Sequence, residues 1–167
     1  MAGDSAGAIT ALFVGYVSDV GEGHSGNPGF DSSVFVSVPI SGELNYDAWC
    51  DHFDASGEPV GCTLGSMAKV DEITGKKGQP PLCAVHGTLD LIVPYREIVL
   101  VKQRAEAVHL PHQLVTIDGG GHVPMDELLS GHMDELMSCV SGAMGVQLPC
   151  ARPGRDGQEA DVVEARM

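Results

Sequence analysis

Five residues near the start of the chain restrict its fold more than any other stretch: Gly3-Asp4-Ser5-Ala6-Gly7, a G-x-S-x-G pattern that runs directly into an apolar stretch of helical spacing. A serine on a very tight strand-to-helix turn projects its hydroxyl clear of the backbone. Strand and helix then pass so close that the residues two before and two after the serine must be small. Gly3 and Gly7 meet that need, and Ala6 and Ala8 keep the helix start narrow. The helix N-terminus also sets positive dipole and free N–H groups beside the hydroxyl, the Ala6 N–H among them, where a developing oxyanion would be stabilised. Alone the pattern is weak, because glycine and serine are common and a simple helix cap reads the same way. The rest of the chain has to decide.

With 167 residues, 43% of them hydrophobic, the chain suits one domain with its own core. A formal net charge of −14 argues against nucleic acid or an anionic membrane as partner. No run approaches the roughly 20 apolar residues of a membrane span. The N-terminus lacks the basic segment of a signal peptide, which leaves the compartment open between cytoplasm and, for a chain with a start further upstream, secretion. The cysteines are Cys50, Cys62, Cys83, Cys139 and Cys150, an odd number without C-x-x-C spacing, so a zinc site is not expected. Cys50 and Cys62 flank a polar loop and would bridge in a secreted protein; buried or free thiols are the plainer expectation.

Apolar periodicity predicts a helix over residues 6–20, with Ile9, Leu12, Phe13, Tyr16, Val17 and Val20 on one side and Gly15 at a close approach to a sheet. A β-branched run from Ser33 to Ser41 predicts a strand buried on both faces. Residues 43–79 are polar and Gly-rich, with one aromatic cluster of Tyr46, Trp49 and Phe53, and read as short helices forming a small lid. Leu82–His86 is a second strand, Tyr95–His109 a helix and Gln113–Ile117 a third strand. Pro124 opens a last helix, whose Met125, Leu128, Leu129, His132, Met133, Leu136, Met137 and Val140 form a continuous stripe read as core. Strands alternating with helices imply an α/β fold with a mostly parallel sheet of about three strands and flanking helices. Residues 1–145 form the domain, and 146–167, rich in Pro, Arg, Gly and Glu, read as a mobile tail.

In parallel sheets, reactive groups collect beyond the carboxyl ends of the strands. Ser5 precedes the first helix; His86-Gly-Thr-Leu-Asp90 follows one strand, and Asp118-Gly-Gly-Gly-His122 follows the next. A serine, an acid and a histidine thus occupy successive strand ends. Together with Leu91-Ile-Val-Pro94 and Val123-Pro124, these motifs resemble the C-terminal half of an α/β-hydrolase-fold serine esterase of the carboxylesterase, feruloyl-esterase-like or dienelactone-hydrolase-like kind. The resemblance covers roughly residues 1–144. It implies Ser5 as nucleophile, His122 as general base and acid, Asp90 as the group that orients the imidazole, and Ala6 as an oxyanion-hole donor. It implies a small-molecule ester as substrate, with no cofactor and no metal. Tyr46 and Trp49 would line the acyl or aryl pocket. A serine peptidase of the same fold is the nearest alternative.

Plainer readings hold elsewhere. His86 is expected to be structural at its strand end, His132 to pack within the helix, Asp4 to support the turn, and Asp51, His52 and Asp54 to be surface polarity rather than a metal site. Only Met1 and Ala2 precede Gly3, so the upstream strands and the H-G-G-G loop that supplies a second oxyanion N–H in such esterases are not in this sequence. The chain is therefore expected to be part of a longer hydrolase with impaired catalysis. A non-catalytic remnant is the further alternative, with its open sheet edge free to pair with another chain or a second copy.

Overall fold

The structure, a computed structural model, describes residues 1–17, 33–44 and 70–146. Among the described residues, four parallel strands form one sheet in chain order: β1 (Ala2–Asp4), β2 (Val38–Ile40), β3 (Leu82–Gly87) and β4 (His112–Ile117). This is one strand more than the sequence suggests. Ala-Gly-Asp has no strand propensity of its own; β1 exists because it pairs with β2 in the register Ala2↔Val38 to Asp4↔Ile40. β3 and β4 pair over six residues, Leu82↔His112 to Gly87↔Ile117, and form the most extensive part of the ladder.

Side chains alternate along β3 as a sheet covered on both faces requires. Leu82 and Ala84 join the core under α1 (Ala6–Tyr16) and α2 (Tyr95–Ala107), with Leu12, Tyr16, Ile98, Val101 and Ala105. Cys83 and Val85 join the opposite core with Val38, Ile40, Val115, Ile117, Leu128 and Leu136. The strand predicted from Ser33 shortens to its last residues, and Phe35 is left 84% exposed.

The inward face of α1 keeps Leu12 and Tyr16 of the predicted stripe, with Phe13 and Val17 packed at its margin, but is shifted toward the small residues. Ala8, Ala11, Leu12 and Tyr16 are buried, while Ile9 and Phe13 are only partly covered. The helix is apolar almost all round, so periodicity alone does not choose a face; closeness to the sheet does. A side chain at Gly42 would lie 2.6 Å from Ala8 Cβ, and one at Gly15 would lie 3.3 Å from the Pro80 ring. Small residues therefore face inward. Ser37 Oγ donates to the Ala11 carbonyl at 2.9 Å and the Tyr16 hydroxyl to the Pro80 carbonyl at 3.0 Å, which satisfies the polar groups trapped in this contact.

The last helix is not continuous. A short α3 (Met125–Glu127) passes through a wide π-turn at Leu128–His132 before α4 (Met133–Met144). The wide turn changes the helical phase, so Leu128 and Leu136 are buried while Met125, Leu129 and Met137 face outward. His132, expected to pack, is partly exposed, with Nδ1 3.8 Å from Glu135 Oε2. Gly145, at φ 64°, ends α4 in a left-handed cap.

Cys83 on β3 and Cys139 on α4 form a disulfide with Cα atoms 5.9 Å apart, a pairing the sequence does not suggest. Cys50, Cys62, Tyr46, Trp49, Asp51, His52, Asp54 and the residues from 147 onward lie outside the described residues. Closing a loop of this span stabilises by roughly 4 kcal/mol on the chain-entropy account. Cys139→Ser and treatment with dithiothreitol are therefore each expected to lower the thermal midpoint by several degrees, and reduction of the variant should lower it no further. Equal midpoints for reduced and oxidised wild type would contradict the bond.

Candidate active site

Ser5 stands where β1 becomes α1. Its N–H donates to the Ile40 carbonyl at 2.9 Å, which carries the β1–β2 ladder one residue further, and its carbonyl accepts from Ala8 and Ile9 as the helix starts. Making both connections forces Ser5 to φ 47° and ψ −118°. That region costs of order 1–3 kcal/mol for a residue with a side chain, and the surrounding packing must hold it. The glycine pattern is explained by distance: a Cβ on Gly3 would sit 2.4 Å from the Gly7 carbonyl oxygen.

The turns after β3 and β4 are packed backbone to backbone. A Cβ on Gly87 would lie 2.3 Å from the Gly120 oxygen and 2.4 Å from that of Gly121. Thr88 ties the turns together. Its N–H donates to Ile117 O, and its Oγ1 both accepts from the Gly119 N–H at 2.8 Å and lies 3.2 Å from Asp118 Oδ1. The Leu89 N–H donates to Gly120 O at 2.9 Å. These contacts place Asp90 beside His122.

The three groups meet in series. His122 Nε2 lies 2.9 Å from Ser5 Oγ, and its Nδ1 lies 2.8 Å from Asp90 Oδ2. An ionised carboxylate can only accept, so Nδ1 carries the ring proton and Nε2 is left to accept from the serine hydroxyl. Asp90 Oδ1 accepts from the backbone N–H groups of Ile92 and Val93, both at 2.9 Å. Burial pushes the Asp90 carboxyl up, but the hydrogen bonds from His122, Val93 and Ile92 outweigh it, and the group titrates below its ordinary value. The His122 side chain is 18% exposed, so the ring is reachable from solvent. Ala6 opens α1, and its N–H comes before the first helical bond, which Ala8 makes to the Ser5 carbonyl.

Two residues at the site carry no signal of their own in the sequence. Ser41, buried beyond the end of β2, accepts the Val123 N–H on its Oγ at 2.9 Å and so holds the residue next to His122. Both Ser41 and Val123 have positive φ, 53° each. Thr88 is the other; its hydroxyl matters only because the next strand's turn lies against it.

No family model and no curated protein matches the chain. Solved structures do. A truncated carbohydrate esterase from gut microbiota superposes with a TM-score of 0.67 at 18% identity, covering 86% of this chain and 59% of the other. A thermophilic esterase from Thermogutta terrifontis with propionate bound gives 0.65 at 22% identity, covering 89% and 56%. The fold is that of the α/β-hydrolases. An acetyl ester-xyloside bifunctional hydrolase from Caldicellulosiruptor lactoaceticus shares it, with a TM-score of 0.58, 20% identity and coverage of 86% and 55%. The chain spans somewhat more than half the length of these α/β-hydrolase-fold structures.

Acid should weaken the fold in two stages. In the unfolded chain Asp90 takes up its proton near pH 3.8 and His86 near pH 6.5. In the fold both titrate lower, His86 because burial disfavours its cation, so on acidification the unfolded state binds more protons. The stability from both groups is complete above about pH 6.5. That from His86 wanes below this value, and that from Asp90 is lost below about pH 3.8. Urea midpoints at pH 7.5, 5 and 3.5 should fall in that order; a flat profile would contradict this account. Gly87→Ala, which drives a methyl into the Gly120 and Gly121 carbonyls, is expected to destabilise by more than about 2 kcal/mol in the same assay.

Proposed function

We propose that the chain carries a serine-dependent carboxylic ester hydrolase site, with Ser5 as nucleophile, His122 as general base and then acid, and Asp90 as the carboxylate that orients and charges the imidazole. The reading rests on one observation, the unbroken path from Ser5 Oγ through both ring nitrogens of His122 to Asp90 at the carboxyl ends of parallel strands. Ser5 Oγ attacks the ester carbonyl as its proton passes to His122 Nε2. The Ala6 N–H, at the positive end of α1, supports the oxyanion. The imidazolium returns the proton to the departing alcohol, leaving an acyl-Ser5 ester. Water, deprotonated by His122, then releases the acid and restores the hydroxyl. The Ser5, His122 and Asp90 side chains that these steps use already stand in series.

The Thermogutta esterase has been solved with propionate and with butyrate bound. Short acyl esters of p-nitrophenol are therefore the first substrates to test. A fluorophosphonate probe should label the wild-type chain, and the label should map to Ser5. Ser5→Ala should lose the label, and His122→Ala should lower ester turnover by roughly 10³–10⁴-fold or more. An unlabelled wild type, or label that persists in Ser5→Ala, would overturn the reading.

A further inference from the structure

His86 is the last residue but one of β3, fully buried, and the proton path does not pass through it. Its Nε2 lies 2.9 Å from the Val93 carbonyl oxygen and 3.3 Å from Asp90 Oδ2. A carbonyl can only accept, so Nε2 carries the proton and the imidazole is the Nε2–H tautomer. Nδ1 is then a bare lone pair, and it finds no hydrogen-bond partner among the described residues. The Tyr95 ring packs edge-on against the imidazole at 5.9 Å. The charges facing it are Asp90 and, beyond that, His122.

Val93 is held through both of its backbone polar groups. Its carbonyl accepts from His86, while its N–H donates to Asp90 Oδ1. The loop 90–93 cannot rotate its carboxylate without breaking one of these bonds. His86 Nε2 also lies 3.3 Å from Oδ2, the oxygen that His122 uses, so the N–H edge of the ring borders the carboxylate. A neutral donor does this without adding a cation that would compete with the imidazolium formed during turnover.

We propose that His86 is a positioning residue for the catalytic carboxylate: as a neutral Nε2–H imidazole it locks Val93 and thereby fixes Asp90 Oδ2 on His122. This deepens the hydrolase reading and rests on it for any effect on rate, but the lock itself can be observed without turnover. Burial keeps the His86 ring neutral, consistent with that role.

The test combines nuclear magnetic resonance with kinetics. In the wild type, ¹⁵N spectra should show His86 as the Nε2–H tautomer and neutral at pH 6; an Nδ1–H tautomer or a cation there would overturn the proposal, whatever the variants do. His86→Phe removes the donor, so the Asp90 carboxyl should titrate at higher pH by ¹³C, and kcat for p-nitrophenyl acetate should fall about 10- to 100-fold with KM little changed. His86→Gln, which keeps an N–H near the same place, should recover most of both. A folded His86→Phe with an unshifted Asp90 and wild-type kcat would refute the role. Should His86→Phe not fold, the wild-type tautomer and the His86→Gln titration still decide. A wild type that fails to react with fluorophosphonate while Asp90 shifts in His86→Phe would sink the hydrolase reading and leave the lock standing.

Discussion

A hydroxyl near the start of the chain meets an imidazole 117 residues later only because the backbone is held where it resists going. Ser5, Ser41 and Val123 all have positive φ without being glycine, and all three lie at the site. Val123 is β-branched, for which that conformation is a marked outlier. Among the described residues, His109, just beyond α2, is the one other non-glycine residue with positive φ. Ser5 is bent because its N–H completes the ladder to Ile40 while its carbonyl starts α1; Ser41 and Val123 are bent where one hydrogen-bonds the other. Sheet pairing and helix packing on either side outweigh a few kcal/mol of unfavourable dihedrals.

Around those bends, His86, Gly87, Thr88 and Asp90 each have a separate physical task. The imidazole holds the far end of the loop, the glycine lets two turns touch through their backbones, the threonine hydroxyl bridges them, and the aspartate accepts hydrogen bonds from Ile92, Val93 and His122. A short motif can be specific because so many of its atoms are committed to different neighbours. The acid needs that many partners: a carboxylate buried without them would protonate, and a neutral acid could not hold the ring in one tautomer.

The sequence displayed the parts of this arrangement that depend on local chemistry. Gly3 and Gly7 around Ser5, the Gly-Thr-x-Asp turn and the glycines before His122 are demands made by the immediate backbone, so they leave a residue pattern. What escaped was set by tertiary partners. β1 is three residues of poor strand formers that become a strand through β2 alone. α1 is apolar on every side, so its buried face follows from how near the sheet lies to Ala8 and Gly15. The π-turn shifts a stripe that reads as continuous on paper. Cys83 sits in an apolar strand and Cys139 in a helix 56 residues away, and neither position advertises a bridge. Ser41 looks like an ordinary turn serine until the loop carrying Val123 arrives above it.

The Cys83–Cys139 bond turns the segment between those residues into a macrocycle. Asp90 and His122 both ride inside that ring; Ser5 is outside, tethered by three short backbone pairings and the packing of one helix. The two halves of the site therefore differ in how they come apart. Loss of the β1–β2 pairing would part the hydroxyl from an acid and an imidazole that remain within one ring. A protease cutting anywhere within the ring would leave its two products travelling as one molecule until a reductant separates them.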